Sequence, residues 1–169
     1  AAEVAALGRT ARCYTADVAD FRRAATVVAA IHTDFGRIDV LVNNAGALNP
    51  TGITEITEDE FDRTIAINLK SCFNYIHAAA PLMLAAGGGR IVSMSSLNAY
   101  TGGVTAAVSK FSYAAAKAGI LGMTRAQAQA LGPRLALHAL CPGVIETELG
   151  NSLTKSRGPA LMQEIGRAS

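Results

Sequence analysis

The feature of this sequence that most constrains its fold is a set of short apolar runs, each closed by polar residues or glycine. Residues 38–42 (IDVLV) are mostly aliphatic and stop at Asn43-Asn44-Ala45-Gly46. Residues 90–96 and Leu135–Leu140 predict two further strands, the second of which is stopped by Cys141-Pro142-Gly143. Nearly continuous apolar runs of this length indicate strands that are buried on both faces, as in parallel sheets.

Segments with helical spacing of apolar residues separate these runs. Asp20 is predicted to cap a helix that ends at Phe35-Gly36. Thr57 and Glu60 form a capping-box pattern that opens a long helix, which extends to the glycines at 87–89. Residues 109–131 predict a further helix that is rich in alanine. The alternation of strand and helix predicts an α/β fold, a doubly wound, Rossmann-like parallel sheet in three α/β/α layers.

The two ends of the sequence carry weaker patterns. Residues 1–7 resemble the end of a helix that Gly8 closes, and residues 11–15 predict a short strand. One helix is predicted near residues 159–165. We therefore expect a single, partial domain over residues 1–169, whose sheet is incomplete and which begins inside the domain.

Composition excludes several classes of partner. The formal charge is only +2 and Lys and Arg are scattered, so no basic stripe for nucleic acid is present. The longest apolar stretch, residues 78–86, is too short for a bilayer span and contains Pro81, so no membrane role is expected. The cysteines at positions 13, 72 and 141 are far apart in sequence, which predicts reduced core thiols, a cytoplasmic location and no metal site.

Tyr113 and Lys117 are the first candidates for chemistry. They lie four residues apart on the alanine-rich helix, so both side chains leave the same face. A phenol with a pKa of about 10 exchanges protons slowly at neutral pH, and a nearby ammonium lowers that pKa and makes tyrosine a workable acid and base. An ordinary surface pair of Tyr and Lys would show the same spacing.

Three other parts of the sequence carry candidate residues for the same site. Ser96 ends a strand at the sheet edge where ligands bind in open α/β folds, although a plain turn hydroxyl is the alternative. Asn44, Ala45 and Gly46 end another strand at that edge, where glycine lets a ligand approach the backbone. Asn68 lies inside a helix between Ile67 and Leu69, which favours a buried polar role over a solvated one.

Together these residues resemble the classical short-chain dehydrogenase/reductase family, over about residues 1–150. Within that family, the sequence resembles the 3-ketoacyl-carrier-protein reductases and the sugar or polyol dehydrogenases. The features that carry the resemblance are Asp17-Val18, Asn43-Asn44-Ala45-Gly46, Asn68, Ser96, Tyr113-x-x-x-Lys117 and Pro142-Gly143-Val144-Ile145-Glu146-Thr147. The resemblance implies NAD or NADP as cofactor, with a hydride transferred between a secondary alcohol and a ketone.

The resemblance also implies a role for each matching residue. Tyr113 would be the general acid and base, Lys117 would lower its pKa and hold the nicotinamide ribose, and Ser96 would bind the substrate oxygen. Asn68 would position a water in a proton relay. The residues implied to contact the cofactor are Asp17 and Val18 at the adenine, Asn44, Ala45 and Gly46 along it, Tyr113 and Lys117 at the ribose, and Pro142, Gly143, Ile145 and Thr147 near the nicotinamide.

The sequence departs from the family pattern in three places. No Gly-x-x-x-Gly-x-Gly follows a strand, and the first two strands and the last strand of the family fold have no counterpart. An insertion near residues 102–108 lengthens the gap between Ser96 and Tyr113. His138 stands where the family usually has Asn, as a strand-end histidine or as an addition to the site.

We expect an NAD(P)-dependent oxidoreductase that acts on a small alcohol or ketone and assembles as a homodimer or homotetramer in the full-length protein. A dinucleotide-binding relative without catalysis is the alternative from another class, and an epimerase or dehydratase of the extended branch is the rival among enzymes. Because the pyrophosphate site needs the backbone N–H groups of the glycine turn, residues 1–169 alone are expected to be inactive.

Overall fold

The computed structural model describes residues 1–102 and 111–143 of the chain. In chain order the elements are α1 (Ala2–Ala6), α2 (Phe21–Phe35), β1 (Val40–Asn43), α3 (Glu58–Ile65), a π-helical segment (Ala66–Lys70), α4 (Ser71–Ala85), β2 (Gly89–Met94), α5 (Asn98–Thr101), α6 (Phe111–Leu131) and β3 (Leu135–Leu140). The predicted tail helix at 159–165 lies outside the described residues.

The three strands form one parallel sheet in the order β1-β2-β3. Val42 is paired with Val92 and Val92 with His138, so the carboxyl ends of all three strands meet at one edge. Strand β3 has the predicted bounds, while β1 and β2 are shifted by one or two residues from the predicted runs. The prediction of a Rossmann-like parallel sheet, incomplete in this chain, is confirmed.

The strand predicted at residues 11–15 is wrong, because this segment pairs with no strand of the described sheet. Side-chain contacts hold it against α2 instead: the Tyr14 hydroxyl donates to Asp34, and Arg23 donates to the carbonyl of Thr15 at 3.0 Å. A strand needs a hydrogen-bonded neighbour, and β1, at one edge of the described sheet, does not pair with this segment. The outer backbone groups of β1 are therefore unpaired by any strand of residues 1–102 and 111–143.

Local capping explains where the helices begin and end. Asp20 accepts a hydrogen bond from the Arg23 backbone N–H at the start of α2, and Gly36 closes that helix at φ 77°. The capping box at α3 is complete, since Thr57 and Glu60 each accept from the other's backbone N–H. These predictions from sequence are confirmed, and so is the closure of α1 by Gly8, whose φ is 71°.

The core lies between the sheet and the helices α2, α4 and α6. It includes Val28 of α2, Met83 of α4, Ile120 of α6, and Ile91 and Leu135 of the sheet. The alternate strand residues, whose side chains lie on the other face of the sheet, are exposed: Val40 and Val42 of β1 are each 55% exposed. Within the described residues the helices that cover the sheet thus lie on one face, and the second helical layer of the expected α/β/α arrangement is not supplied by them.

The helix that Thr57 opens is not continuous. It passes through five π-helical residues, Ala66–Lys70, between α3 and α4. A π segment holds one residue more than an α-helical turn needs, and such bulges are frequent at functional sites. Asn68, the candidate singled out by its sequence position, lies in the middle of this segment. No helix of the described residues is long and apolar enough to cross a membrane.

Candidate active site

The carboxyl edge of the sheet is held together by contacts between strands. Asn43, the last residue of β1, donates from Nδ2 to the Ser93 Oγ at 3.2 Å. Beyond β2, the Leu97 backbone N–H donates to the Pro142 carbonyl at 3.0 Å, which ties the segment after Ser96 to the segment after β3. These bonds bring the three strand ends and the loops that follow them into one region.

Asn68 anchors the loop that follows β1. Its Oδ1 accepts from the Ala47 backbone N–H at 3.1 Å, and its Nδ2 donates to the Ala47 carbonyl at 2.8 Å and to the Thr64 carbonyl at 2.9 Å. The side chain is 0% exposed, so the prediction of a buried polar role is confirmed. Since the amide both accepts from and donates to Ala47, the side chain fixes the loop at Ala47.

Gly46 occupies the narrowest point of this loop. A Cβ added at Gly46 would lie 3.0 Å from the Asn68 Oδ1 and 3.5 Å from the Lys117 Nζ. Few real Cβ atoms come as close to a neighbour as the first of these distances, so the missing side chain is what lets the loop pass over Asn68, while the distance to Lys117 is an ordinary contact. Gly46 therefore brings its own backbone, Asn68 and Lys117 together.

Lys117 is held at both its ends. Its backbone carbonyl accepts a hydrogen bond from the Ser95 hydroxyl at 2.7 Å, and its ammonium donates to the Met94 carbonyl at 2.6 Å. The residue is only 3% exposed, and no carboxylate of the described residues forms a salt bridge with it. Burial lowers the pKa of Lys117, because a buried ammonium loses its hydration.

Tyr113 lies between Lys117 and Ser96. The Lys117 Nζ lies 5.5 Å from the centre of the Tyr113 ring, and the Ser96 side chain is near enough to the phenol to lower its pKa. Ser96 Oγ also accepts from the Asn98 backbone N–H at 3.2 Å, which fixes the hydroxyl at the start of α5. The structure thus brings Asn68, Ser96, Tyr113 and Lys117 to one place.

The pKa of Tyr113 differs from the expectation. Burial raises this pKa above its ordinary value, and the hydrogen bond with Ser96 opposes the rise. We expected the positive charge of Lys117 to lower it, but the ammonium is bonded to the Met94 carbonyl and faces the ring rather than the hydroxyl. Ser96 is therefore the residue that favours the phenolate in this arrangement.

Asp17 and Val18 form a turn apart from these four residues. The Asp17 carboxylate accepts from the Ala19 backbone N–H at 2.9 Å and from Arg63 at 3.0 Å, and these contacts lower its pKa, the backbone bond most. The Val18 carbonyl accepts from Asn74 of α4 at 3.0 Å. The turn is thus bonded to α4, the helix that directly follows the π-helical segment of Asn68.

Several predicted positions carry less information. Pro142 and Gly143 follow β3 at the carboxyl edge, whereas Ile145, Thr147 and most of the insertion at 102–108 lie outside the described residues. His138 pairs with Val92 in the sheet and its side chain is exposed, away from the helices. Of the cysteines, Cys72 is buried but Cys13 is exposed, so the expectation of a core thiol is wrong for Cys13.

Sequence reasoning missed the residues that support the site. Ser93 and Ser95 fix the end of β2 and the Lys117 backbone, and Asn74 fixes the Asp17 turn; Asn43, which bonds Ser93, belongs to the Asn43-Asn44-Ala45-Gly46 motif that the sequence does single out. Each contact joins residues far apart in sequence, so periodicity could not predict it. The one available signal was the density of Ser and Asn in otherwise apolar segments.

Comparison with known proteins agrees with this geometry. The family model described as short chain dehydrogenase matches residues 1–158. The chain belongs to the short-chain dehydrogenase family, as the sequence resemblance predicted. Two of its solved relatives have the same fold: a putative short-chain alcohol dehydrogenase from Sinorhizobium meliloti 1021, at a TM-score of 0.85 and 32% identity, and a putative short-chain dehydrogenase/reductase from Burkholderia xenovorans, at 0.83 and 30%. They cover 92% and 91% of this chain, and the chain covers 61% and 60% of them.

Curated relatives of this chain carry several different names. The oxidoreductase UcpA of Escherichia coli (strain K12) is 39% identical over 95% of the chain. The 3-oxoacyl-[acyl-carrier-protein] reductase FabG of Thermotoga maritima is 37% identical over 91%, and nodulation protein G of Azospirillum brasilense is 35% identical over 89%. The chain spans 62% to 63% of the length of these relatives.

Proposed function

We propose that the protein is an NAD(P)-dependent oxidoreductase that interconverts a secondary alcohol and a ketone on a small molecule. The observation that carries the proposal is the convergence of Asn68, Ser96, Tyr113 and Lys117 beneath Gly46 at the carboxyl edge of the sheet. Ligands bind at this edge in open α/β sheets. A module that only binds a dinucleotide would have no need of all four side chains.

The proton chemistry is assigned to Tyr113 and Ser96. In reduction the Tyr113 hydroxyl donates its proton to the substrate oxygen, and in oxidation the phenolate takes it back. Burial keeps the phenol protonated, which suits the reductive direction. The Ser96 hydroxyl lies beside that phenol, and with substrate bound its single hydrogen is donated to the substrate oxygen instead of the phenol as negative charge develops there.

The residues present fit a nicotinamide dinucleotide. The close passage of the loop at Gly46 leaves backbone rather than side chain facing a ligand, and the Lys117 ammonium, anchored by one bond to Met94, has two further hydrogens for ribose hydroxyls. Asn44, Ala45, Gly46 and Pro142 would line the cofactor, and Asp17 would receive the adenine. The hydride is supplied by the cofactor when it is bound. Ile145 and Thr147 keep the cofactor-contact role that the family resemblance implies.

The decisive variant is Tyr113→Phe, tested in the complete gene product. It removes one oxygen from a ring that packs beside Lys117, so the fold and cofactor binding should be kept. Turnover of a ketone panel, followed by the absorbance of NADH and NADPH, should fall by at least about 100-fold, the scale of a lost general acid. Tyr75→Phe, a half-buried tyrosine of α4, is the matched control and should leave turnover unchanged.

Three results would contradict this proposal. If Tyr113→Phe keeps near-normal turnover, Tyr113 is not the acid. If the wild type binds a dinucleotide but oxidises neither NADH nor NADPH with any ketone, the alternative of a non-catalytic relative is favoured. An epimerising or dehydrating activity with tightly held cofactor would favour the extended branch instead.

We also propose self-association through α4 and α6. Both helices have small or apolar residues on more than one side, and Phe73 of α4 is 42% exposed. A helix that is apolar around much of its circumference is usually covered on both sides. Light scattering of the complete gene product at micromolar concentration should give a dimer or tetramer, and a monomeric mass would contradict the proposal.

A further inference from the structure

Asn74 is a buried polar residue that the proposed chemistry does not use. It lies on α4, six residues after Asn68, and it is 0% exposed. Its neighbours along the helix include Cys72 and Ile76, both core residues. The side chain reaches 56 positions back in sequence, where its Nδ2 donates to the Val18 carbonyl at 3.0 Å.

The orientation of this amide is dictated by its partner. A carbonyl can only accept, so the Nδ2 must face Val18, and the Oδ1 is left without a hydrogen-bond partner among the described residues. A buried acceptor without a partner destabilises the fold, because it has lost its hydrogen bonds to water. An aliphatic side chain would remove this orphaned oxygen, but it would also leave the Val18 carbonyl without its donor, so the contact with Val18 is what Asn74 contributes at this position.

The turn that receives this hydrogen bond is otherwise closed on itself. The Asp17 carboxylate accepts from the Ala19 N–H, and the Asp17 carbonyl accepts from the Asp20 N–H at 3.1 Å. Arg63 contacts the turn from solvent, in an ion pair that is about half exposed. Asn74 is thus the buried attachment that connects the turn to the helix following Asn68.

We propose that Asn74 is a positioning residue for recognition of the adenine half of the cofactor, because it fixes the Asp17–Val18 turn relative to the catalytic residues. This inference rests on the proposed function, in which Asp17 receives the adenine. Loss of the Asn74 hydrogen bond leaves the chemistry at Tyr113 intact and loosens only the adenine end. The effect is therefore confined to ligands that carry adenine.

The test separates the two halves of the dinucleotide in the complete gene product. In Asn74→Leu, which keeps the side-chain size and removes the donor, KM for the preferred reduced cofactor should rise about 5- to 10-fold, the scale of one lost hydrogen bond. The kcat should stay within about twofold. The inhibition constant of AMP should rise by a similar factor, and that of nicotinamide mononucleotide should not change.

Controls keep the outcome unambiguous. Ser71→Ala removes another buried hydrogen bond of α4 without touching the turn, and it should move neither inhibition constant. Asn74→Ala is a second variant for the same comparison, with folding checked by circular dichroism. Equal changes for AMP and nicotinamide mononucleotide, no change for either, or a failure of both Asn74 variants to fold would each overturn the inference. A wild type that oxidises no reduced dinucleotide would instead refute the proposed function itself, and the inference with it.

Discussion

Gly46→Ala tests the close approach at the centre of the site. The new Cβ would lie 3.0 Å from the Asn68 Oδ1 and 3.5 Å from the Lys117 Nζ. The amide of Asn68 would have to shift by about 0.4 Å to restore an ordinary contact, although three hydrogen bonds hold it. Overpacking of this kind costs about 1–3 kcal/mol.

A second effect of Gly46→Ala, on the entropy of the unfolded chain, opposes the cost of overpacking. Gly46 has no positive φ, so alanine is allowed there, and the loss of freedom in the unfolded chain stabilises the variant by about 0.4–1 kcal/mol. The expected net effect is a destabilisation of about 1 kcal/mol. Gly122→Ala is the matched control, because a Cβ there meets nothing within 4 Å and the residue lies inside α6. That variant should be more stable than the wild type by about 1 kcal/mol.

Urea unfolding of the two variants beside the wild type measures this difference. The same chemical change should move the unfolding midpoint in opposite directions, with about 2 kcal/mol between the variants. If Gly46→Ala is stabilised as much as Gly122→Ala, the loop does not pass tightly over Asn68 and Lys117. The reasoning that places these groups in one site would then lose its geometric basis.

Three further perturbations have distinct outcomes. Lys117→Met removes the buried ammonium. Because burial lowers the pKa of Lys117 in the folded state, the wild type loses stability as pH falls through that folded pKa and regains it as pH rises toward about 10.4. The unfolding free energy of the wild type should therefore rise relative to that of the variant as pH is raised over this range. Thr57→Ala breaks the capping box with Glu60 and should destabilise the chain by about 0.5–2 kcal/mol in thermal unfolding, and an unchanged midpoint would show that α3 does not depend on its cap. Arg63→Met should raise the pKa of Asp17, measured by NMR titration, yet leave it below its ordinary value because the larger backbone hydrogen bond remains, and a fully ordinary pKa would contradict that order of causes.

The sequence predicted features that depend on neighbouring residues. The cap at Asp20, the capping box at Thr57 and the bounds of β3 follow from local chemistry and periodicity, and all are confirmed. The candidates Asn68, Ser96, Tyr113 and Lys117 were each ambiguous alone, and their agreement in order and spacing with one family made them specific. The structure then added their mutual contacts.

Features that depend on tertiary partners were not predictable in this way. Residues 11–15 have strand composition, but a strand forms only where another strand offers its backbone, and no strand within residues 1–102 and 111–143 does so. The raised pKa of Tyr113 follows from burial and from the commitment of Lys117 to the Met94 carbonyl, neither of which spacing alone reveals. Contacts such as Asn74 with Val18 join segments that only the fold brings together.

The π-helical segment Ala66–Lys70 changes the direction in which the side chains of α4 point relative to those of α3. One additional residue in a turn rotates everything after it by about 100° relative to a continuous α-helix. The sequence can therefore point Asn68 at the loop of Ala47 and still direct Cys72, Ile76 and Met83 into the core. Deletion of a single residue here would leave a regular α-helix whose buried face no longer faces the sheet. The π-helical turn is therefore what lets one helix direct Asn68 toward the loop and the later residues toward the core.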